Sequence, residues 1–207
     1  GSYKRCMRAI DLLLEREIPL RLKTMALTLN KHELWDMKGY AEGLGVEFRY
    51  DALINPGLNG SKHPLNVRIS PQEVVELDLA DEQRLKAFQE FCDKFWGPPS
   101  NPDNLFSCGA GRQTFHIDSY GQLSACLLTR VPSYNLRQGT FREGWYDFIA
   151  EVRKRKRVKR TKCQSCALIA LCGHCPGWSQ LEHGDDETPV DFLCEVSHLR
   201  AKAFGLI

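Results

Sequence analysis

The apolar and polar positions divide the chain into a regular first half and an irregular second half. From Tyr3 to about Arg16, Cys6, Ile10, Leu13 and Leu14 recur at helical spacing among Lys, Arg and Glu, predicting an amphipathic helix with Cys6 in the core. After Pro19, the run Leu20 to Leu27 sets Leu20, Leu22 and Thr24 against Arg21 and Lys23, which is the period of a strand. Asn30 and Glu33 have capping-box spacing for a helix whose face is Leu34, Met37, Ala41 and Leu44, and Gly45 supplies its stop. A second strand, Val46 to Ile54, ends at Asn55-Pro56-Gly57. Helix, strand, helix, strand with short connections predicts a parallel α/β arrangement. A parallel sheet this small leaves an open edge and an uncovered face, so either later segments cover it or the chain is a piece of something larger.

Further along, Ser70-Pro71-Gln72-Glu73 reads as a helix start with Pro at the first position. A firmer helix is predicted from Glu82 to Trp96 with Leu85, Phe88, Cys92 and Phe95 on one face, where Cys92 reads as a small buried hydrophobe. Gly97-Pro98-Pro99-Ser100-Asn101-Pro102 then breaks all periodicity. The expected organisation is therefore a first domain over 3–96, a linker over 97–105 and a second domain over 106–207. In the second, Thr114–Asp118 and Gln122–Cys126 flank Ser119-Tyr120-Gly121 as a β-hairpin, with Phe115 and Ile117 on the buried face. A helix from about Gly144 carries Trp145, Phe148 and Val152 inward and runs into a basic stretch, Arg153 to Lys162. A last helix, Val190 to Phe204, holds Cys194 in its first turns.

Composition changes this picture in one respect. An apolar fraction of 43% is enough to bury a core without cross-links, and a net charge of +2 argues for neither nucleic acid nor membrane as partner. No apolar run is long enough to span a bilayer, so a cytoplasmic protein is expected. Nine cysteines is the outlier. The count is odd and the chain is not small, so C-x2-C spacing points to metal chelation in a reducing compartment rather than to disulfides.

The thiols concentrate in Cys163-Gln-Ser-Cys166 and Cys172-Gly-His-Cys175, with Cys194 beyond them and Cys108 and Cys126 upstream. Two adjacent C-x2-C pairs are a strong metal signal, because each places two thiolates around a tight turn. Cys163 to Cys194 supplies one thiol too many for a single tetrahedral site, which implies a second centre completed by Cys108 and Cys126.

Written out, Cys108, Gly121-x4-Cys126, Cys163-x2-Cys166-x5-Cys172-x2-Cys175 and Cys194 closely resemble the seven-cysteine pattern of the SPASM domain. That domain is the C-terminal extension of many radical S-adenosylmethionine (radical SAM) enzymes and holds two auxiliary iron–sulfur clusters. The family usually has three residues between the cysteines at Cys172 and Cys175; here there are two. The resemblance implies a small loop-rich α+β domain with two auxiliary [4Fe-4S] clusters. Cys163, Cys166, Cys172 and Cys194 would ligate one, and Cys108, Cys126 and Cys175 the other. The fourth position of the second is open to a substrate atom or to Cys92, His116 or His174.

The same resemblance makes Leu20–Asn30 and Val46–Pro56 the last strands of a partial (β/α)6 barrel. Lys23, Asn30, Arg49 and Asp51 at their ends would line a cofactor or substrate cavity, while the competing reading has Arg49 and Asp51 exposed or paired with each other. No C-x3-C-x2-C motif is present, so the chain is expected to be inactive alone, with S-adenosylmethionine bound only in the intact enzyme and a separate N-terminal half as partner. The implied substrate is a peptide or protein, crosslinked or oxidised. In the branch that oxidises a sulfatase residue, an acidic residue follows the hairpin cysteine; Leu127 stands there and argues against that branch.

The rival is a zinc protein with Cys163, Cys166, Cys172 and Cys175 in one four-thiolate site, and with Arg153–Arg157, Lys159 and Arg160 as a nucleic-acid-binding face. That run holds no aromatic residue on which a base could stack, which argues against nucleic acid. A third reading is a non-catalytic module that docks a substrate peptide.

Overall fold

The computed structural model describes all residues, Gly1 to Ile207, and is mixed α/β with two small sheets. Compactness divides the chain into two units, one of Gly1–Ile54 with Val67–Ile69 and one of Asn55–Asn66 with Ser70–Ile207.

In the first unit, α1 (Ser2–Leu14), β1 (Arg21–Met25), α2 (Leu34–Gly43) and β2 (Glu47–Asp51) follow in the expected order. β1 and β2 pair in parallel, Arg21 opposite Glu47 through Met25 opposite Asp51. The strands are shorter than their alternating runs because only five registered positions have a partner. The sheet has these two strands and no barrel. Leu34, Ala41, Tyr50, Ala26 and Ala52 form its core. Cys6 is exposed rather than buried, since the groove beside it, lined by Met7, Ile10, Leu22, Met37, Tyr40 and Phe48, is left open. Asn30 does not cap the following helix. Its Oδ1 accepts from Leu27 N at 2.9 Å and its Nδ2 donates to Met25 O at 3.0 Å, so it closes the turn after β1 instead.

In the second unit, α3 (Pro71–Ala80) starts with the complete Ser70/Glu73 capping box, and α4 (Glu82–Phe95) is capped by Asp81. Both helices, placed with the first segment by sequence, belong to this unit, where α3 packs against α8 (Asp191–Ala203). The stretch 97–105 also lies inside it. Its prolines break the helix without freeing the chain, because Leu105 and Phe106 are buried and Leu105 N donates to Arg155 O at 3.1 Å.

β3 (His116–Ile117), β4 (Gln122–Ser124) and β5 (Tyr134–Asn135) form an antiparallel sheet in that order, with Gly121 at φ +80° in the hairpin turn. α5 (Phe141–Glu143), a π-helical stretch (Gly144–Ile149) and α6 (Ala150–Lys154) continue as one helix across it, and α7 (Pro176–His183) follows later. Leu105, Phe106, Leu123, Ala125, Ile149 and Val152 make the core between sheet and helix. Phe115 and Ile117 are exposed rather than buried, although Ile117 is paired with the buried Leu123 and so shares its face; they lie at the rim of the core and not within it. Leu123 and Ala125 of the partner segment fill the core, and Phe115 rests edge-on against Phe141 and Trp145.

Candidate metal centres

Four of the thiols are gathered by short turns and one helix. Cys163 sits in a 3-10 turn (Lys162–Gln164) held by Gln164 Oε1, which accepts from Thr161 N at 2.9 Å. Cys166 and Cys172 bracket a second 3-10 turn, Ala167–Leu171. Leu168 and Leu171 in that turn plug a core of Cys92, Ala201, Phe88 and Phe204, which holds the loop in place. Cys194 arrives in the first turn of α8.

These thiols act on one another. Burial foremost, with the neighbouring Cys194, Cys163 and Cys166 adding to it and the His174 amide opposing, pushes the Cys172 thiol up to about 11. Burial also raises Cys163, with Cys194 and Cys166 adding to it. Lys162 stands beside the group, its ammonium stabilised first by the charge of Cys194 and by a hydrogen bond to it.

The remaining three form a second set. Burial raises the Cys175 thiol, and the thiols it feels besides are Cys126 and Cys108. Cys175 is the N-cap of α7, where its Sγ accepts from Trp178 N at 3.4 Å, and Cys126 Sγ accepts from Thr129 N at 3.3 Å. The Trp178 amide favours the Cys175 thiolate over the thiol, against the effect of burial. Cys108 is placed through its backbone: Arg153 Nη1 donates to Cys108 O and Ala110 O, each at 2.9 Å.

A cavity of about 30 Å³ is lined by Cys163 of the first set, by Cys108 and Cys175 of the second, and by Arg157 and His174. Both ring nitrogens of His174 are buried without a hydrogen-bond partner, as is Nη1 of Arg157. Burial first, then the charges of Arg157 and His183, push His174 down to about 4, so the ring is neutral at pH 7.

Comparison with family models, with curated proteins and with solved structures finds no match. The donor chemistry must therefore be judged by itself. No group of three or more His, Cys, Asp or Glu side chains is placed so that it could hold a metal ion. The chemistry of the donors is nonetheless of a kind that fits a cation: buried thiols that raise one another's pKa are costly to ionise together, and a bound metal would offset that cost.

The other predicted residues are placed as follows. Lys23 Nζ pairs with Asp51 Oδ2 at 2.5 Å and Arg49 Nε with Glu47 Oε1 at 2.5 Å, so Arg49 and Asp51 are exposed but do not pair with each other. Asn30 is engaged in its own turn. Cys92 is buried in the apolar cluster, as its helix position predicts. Much of the basic run is internally engaged: Arg155 with Asp186, Lys156 with Asn104, Lys159 with Asp185. Sequence reasoning overlooked Asp78, Arg84 and Arg200, a buried ionic group behind the first set, and the only available signal was a lone Asp on an otherwise apolar helix turn.

No helix is long and apolar enough to cross a membrane.

Proposed function

We propose that this chain supplies two auxiliary iron–sulfur centres to a radical SAM enzyme that modifies a peptide or protein. The observation that carries the reading is that Cys163 and Cys172 have Cys194 and Cys166 as charged neighbours, whereas Cys175 has Cys126 and Cys108, which supports one centre on the first four thiols and another on the last three. The consecutive four-thiol site of a zinc ribbon would instead join Cys175 to Cys163, Cys166 and Cys172.

When bound, such clusters exchange single electrons or bind a substrate atom. The chain's own groups are suited to tuning them. Amides of Thr129 and Trp178 donate to Cys126 and Cys175, and Lys162, Arg153 and Arg157 stand close by. Hydrogen bonds and positive charge both stabilise the reduced, more negative state. A groove of about 550 Å³, walled by Leu128, Thr129 and Arg130 just after Cys126 and by Pro176 and Gly177 just after Cys175, is the proposed seat of the substrate peptide. S-adenosylmethionine would be held by the intact enzyme, with Lys23 and Arg49 in mid-strand, Asp51 at the end of β2 and Asn30 in the turn after β1 as the residues offered by this chain and a separate N-terminal half supplying the rest.

The test is iron, sulfide and zinc content with a visible spectrum, on protein purified and reconstituted without oxygen. About eight irons per chain with broad thiolate-to-iron absorption is expected. Colourless protein holding tightly bound zinc, with no iron uptake after zinc removal, overturns the reading. Zinc is the second reading because Cys163, Cys166, Cys172 and Cys194 are by number and type a complete tetrahedral thiolate set.

A further inference from the structure

The second set has three thiols where the first has four. We infer that His174 is the fourth protein ligand of the centre built on Cys108, Cys126 and Cys175. The assignment rests on the reading of those three thiols as one metal centre.

Three observations converge on this ring. An imidazole whose two nitrogens are both out of solvent and unpartnered is costly, and such atoms ordinarily find a donor, an acceptor or a metal. His174 also lines the same narrow cavity as Cys108 and Cys175, one residue before the latter. The competing side chains are otherwise engaged. Cys92 is packed among Phe88, Leu168, Leu171 and Ala201 on the side of Cys166, and His116 Nε2 lies 3.2 Å from Arg130 Nη2. His183 is exposed. Cys163 shares the cavity but belongs to a set that already counts four thiols.

The consequence is chemical asymmetry between the two centres. Three thiolates and a neutral imidazole carry one negative charge fewer than four thiolates, so the second centre accepts an electron more readily than the first. An electron entering the chain would settle there, next to the groove that follows Cys126 and Cys175.

The experiment uses the full chain reconstituted with iron and sulfide, as wild type, His174→Cys and His174→Ala, with reduced samples measured by pulsed electron paramagnetic resonance and titrated for reduction potential. Wild type is expected to show nitrogen coupling of directly bound imidazole. His174→Cys should lose that coupling, keep its iron, and titrate at a lower potential at one centre only. His174→Ala should lose it with the first centre unchanged, which separates ligand loss from failure to fold. Nitrogen coupling that persists in His174→Ala, or two filled centres without it in wild type, overturns the assignment. Should the chain take up zinc and refuse iron, the proposed function falls separately. Zinc X-ray absorption then decides the ligand: a nitrogen lost in His174→Cys keeps it, and sulfur-only coordination overturns it. A chain that binds neither metal overturns both.

Discussion

Arg200 donates from Nε to Asp78 Oδ2 at 2.8 Å across 122 residues of sequence, with both side chains out of solvent. Its Nη1 donates to Leu171 O at 3.1 Å, immediately before Cys172, and its guanidinium lies 4.5 Å from the Phe88 ring. Asp78 Oδ1 is taken in turn by Arg84 Nε at 2.5 Å. One buried group thus ties the helix that bears Cys194 to the loop that bears Cys172. Removing a single partner strands a buried charge, so Asp78→Ala is expected to cost about 3–5 kcal/mol in urea unfolding of the metal-free chain. It should also deplete the first centre before the second. A loss under about 0.5 kcal/mol with both centres filled would mean that the ion group does not position the cysteines.

The division of thiols predicts a division of metal. Cys163→Ala is expected to lower iron from about eight to about four per chain, and Cys108→Ala to do the same by emptying the other centre. The double variant should hold almost none. Loss of all iron from either single variant, in a chain that stays folded by circular dichroism, would show that the ligands are shared differently from the partition proposed here.

Much of the local structure was legible in the sequence. The parallel β1/β2 pair, the helix start at Ser70-Pro71, the hairpin turned by Gly121 and the burial of Cys92 all followed from spacing and turn chemistry. Such features are local, and local propensity decided them. The misses are tertiary. Asn30 has the right offset to cap a helix, but the open end of a short strand offered it Met25 O and Leu27 N. Phe115 and Ile117 alternate as a buried face should, yet the core had room for Leu123 and Ala125 on the paired strand. Cys6 follows a helical stripe that lines an open groove. At the candidate site, spacing offered the seven thiols as ligands, and the resemblance left a choice among Cys92, His116 and His174 that no sequence pattern could make. That choice depends on which polar atoms end up buried and unpartnered.

Gly177 marks the closest approach between the two segments that bring Cys126 and Cys175 together. A Cβ built there would lie 2.7 Å from Leu128 Cβ, 2.9 Å from the Leu128 carbonyl carbon and 2.9 Å from Thr129 Oγ1. Since part of the obstacle is backbone, the neighbours cannot simply rotate away. Gly177→Ala is expected to cost about 1–3 kcal/mol by overpacking and to push the start of α7 from the segment after Cys126. The second centre should then lose iron while the first keeps it. Equal iron content in both proteins would show that the contact yields without separating the ligands.

Asp118 gives the hairpin before Cys126 an acid-sensitive turn. Its Oδ1 accepts from Gln122 N and Tyr120 N, each at 2.9 Å, and Arg130 Nη2 stands 3.7 Å from Oδ2. The Gln122 amide foremost, then the Tyr120 amide and the charges of Arg130 and His116, hold this carboxyl below its ordinary range against the opposing effect of burial. With the folded pKa lower than the unfolded one, the unfolded chain binds the proton first as pH falls. The stabilising contribution is therefore complete above the ordinary carboxylate range and is lost as pH falls through the depressed value. Asp118→Asn keeps an oxygen that can accept from both amides but removes the charge, so its melting temperature should fall less between pH 5 and pH 3 than that of wild type. Exchange of the Tyr120 and Gln122 amides should quicken in wild type over the same interval and change less in the variant. Parallel melting curves and identical exchange would show that the carboxylate charge contributes nothing to the turn.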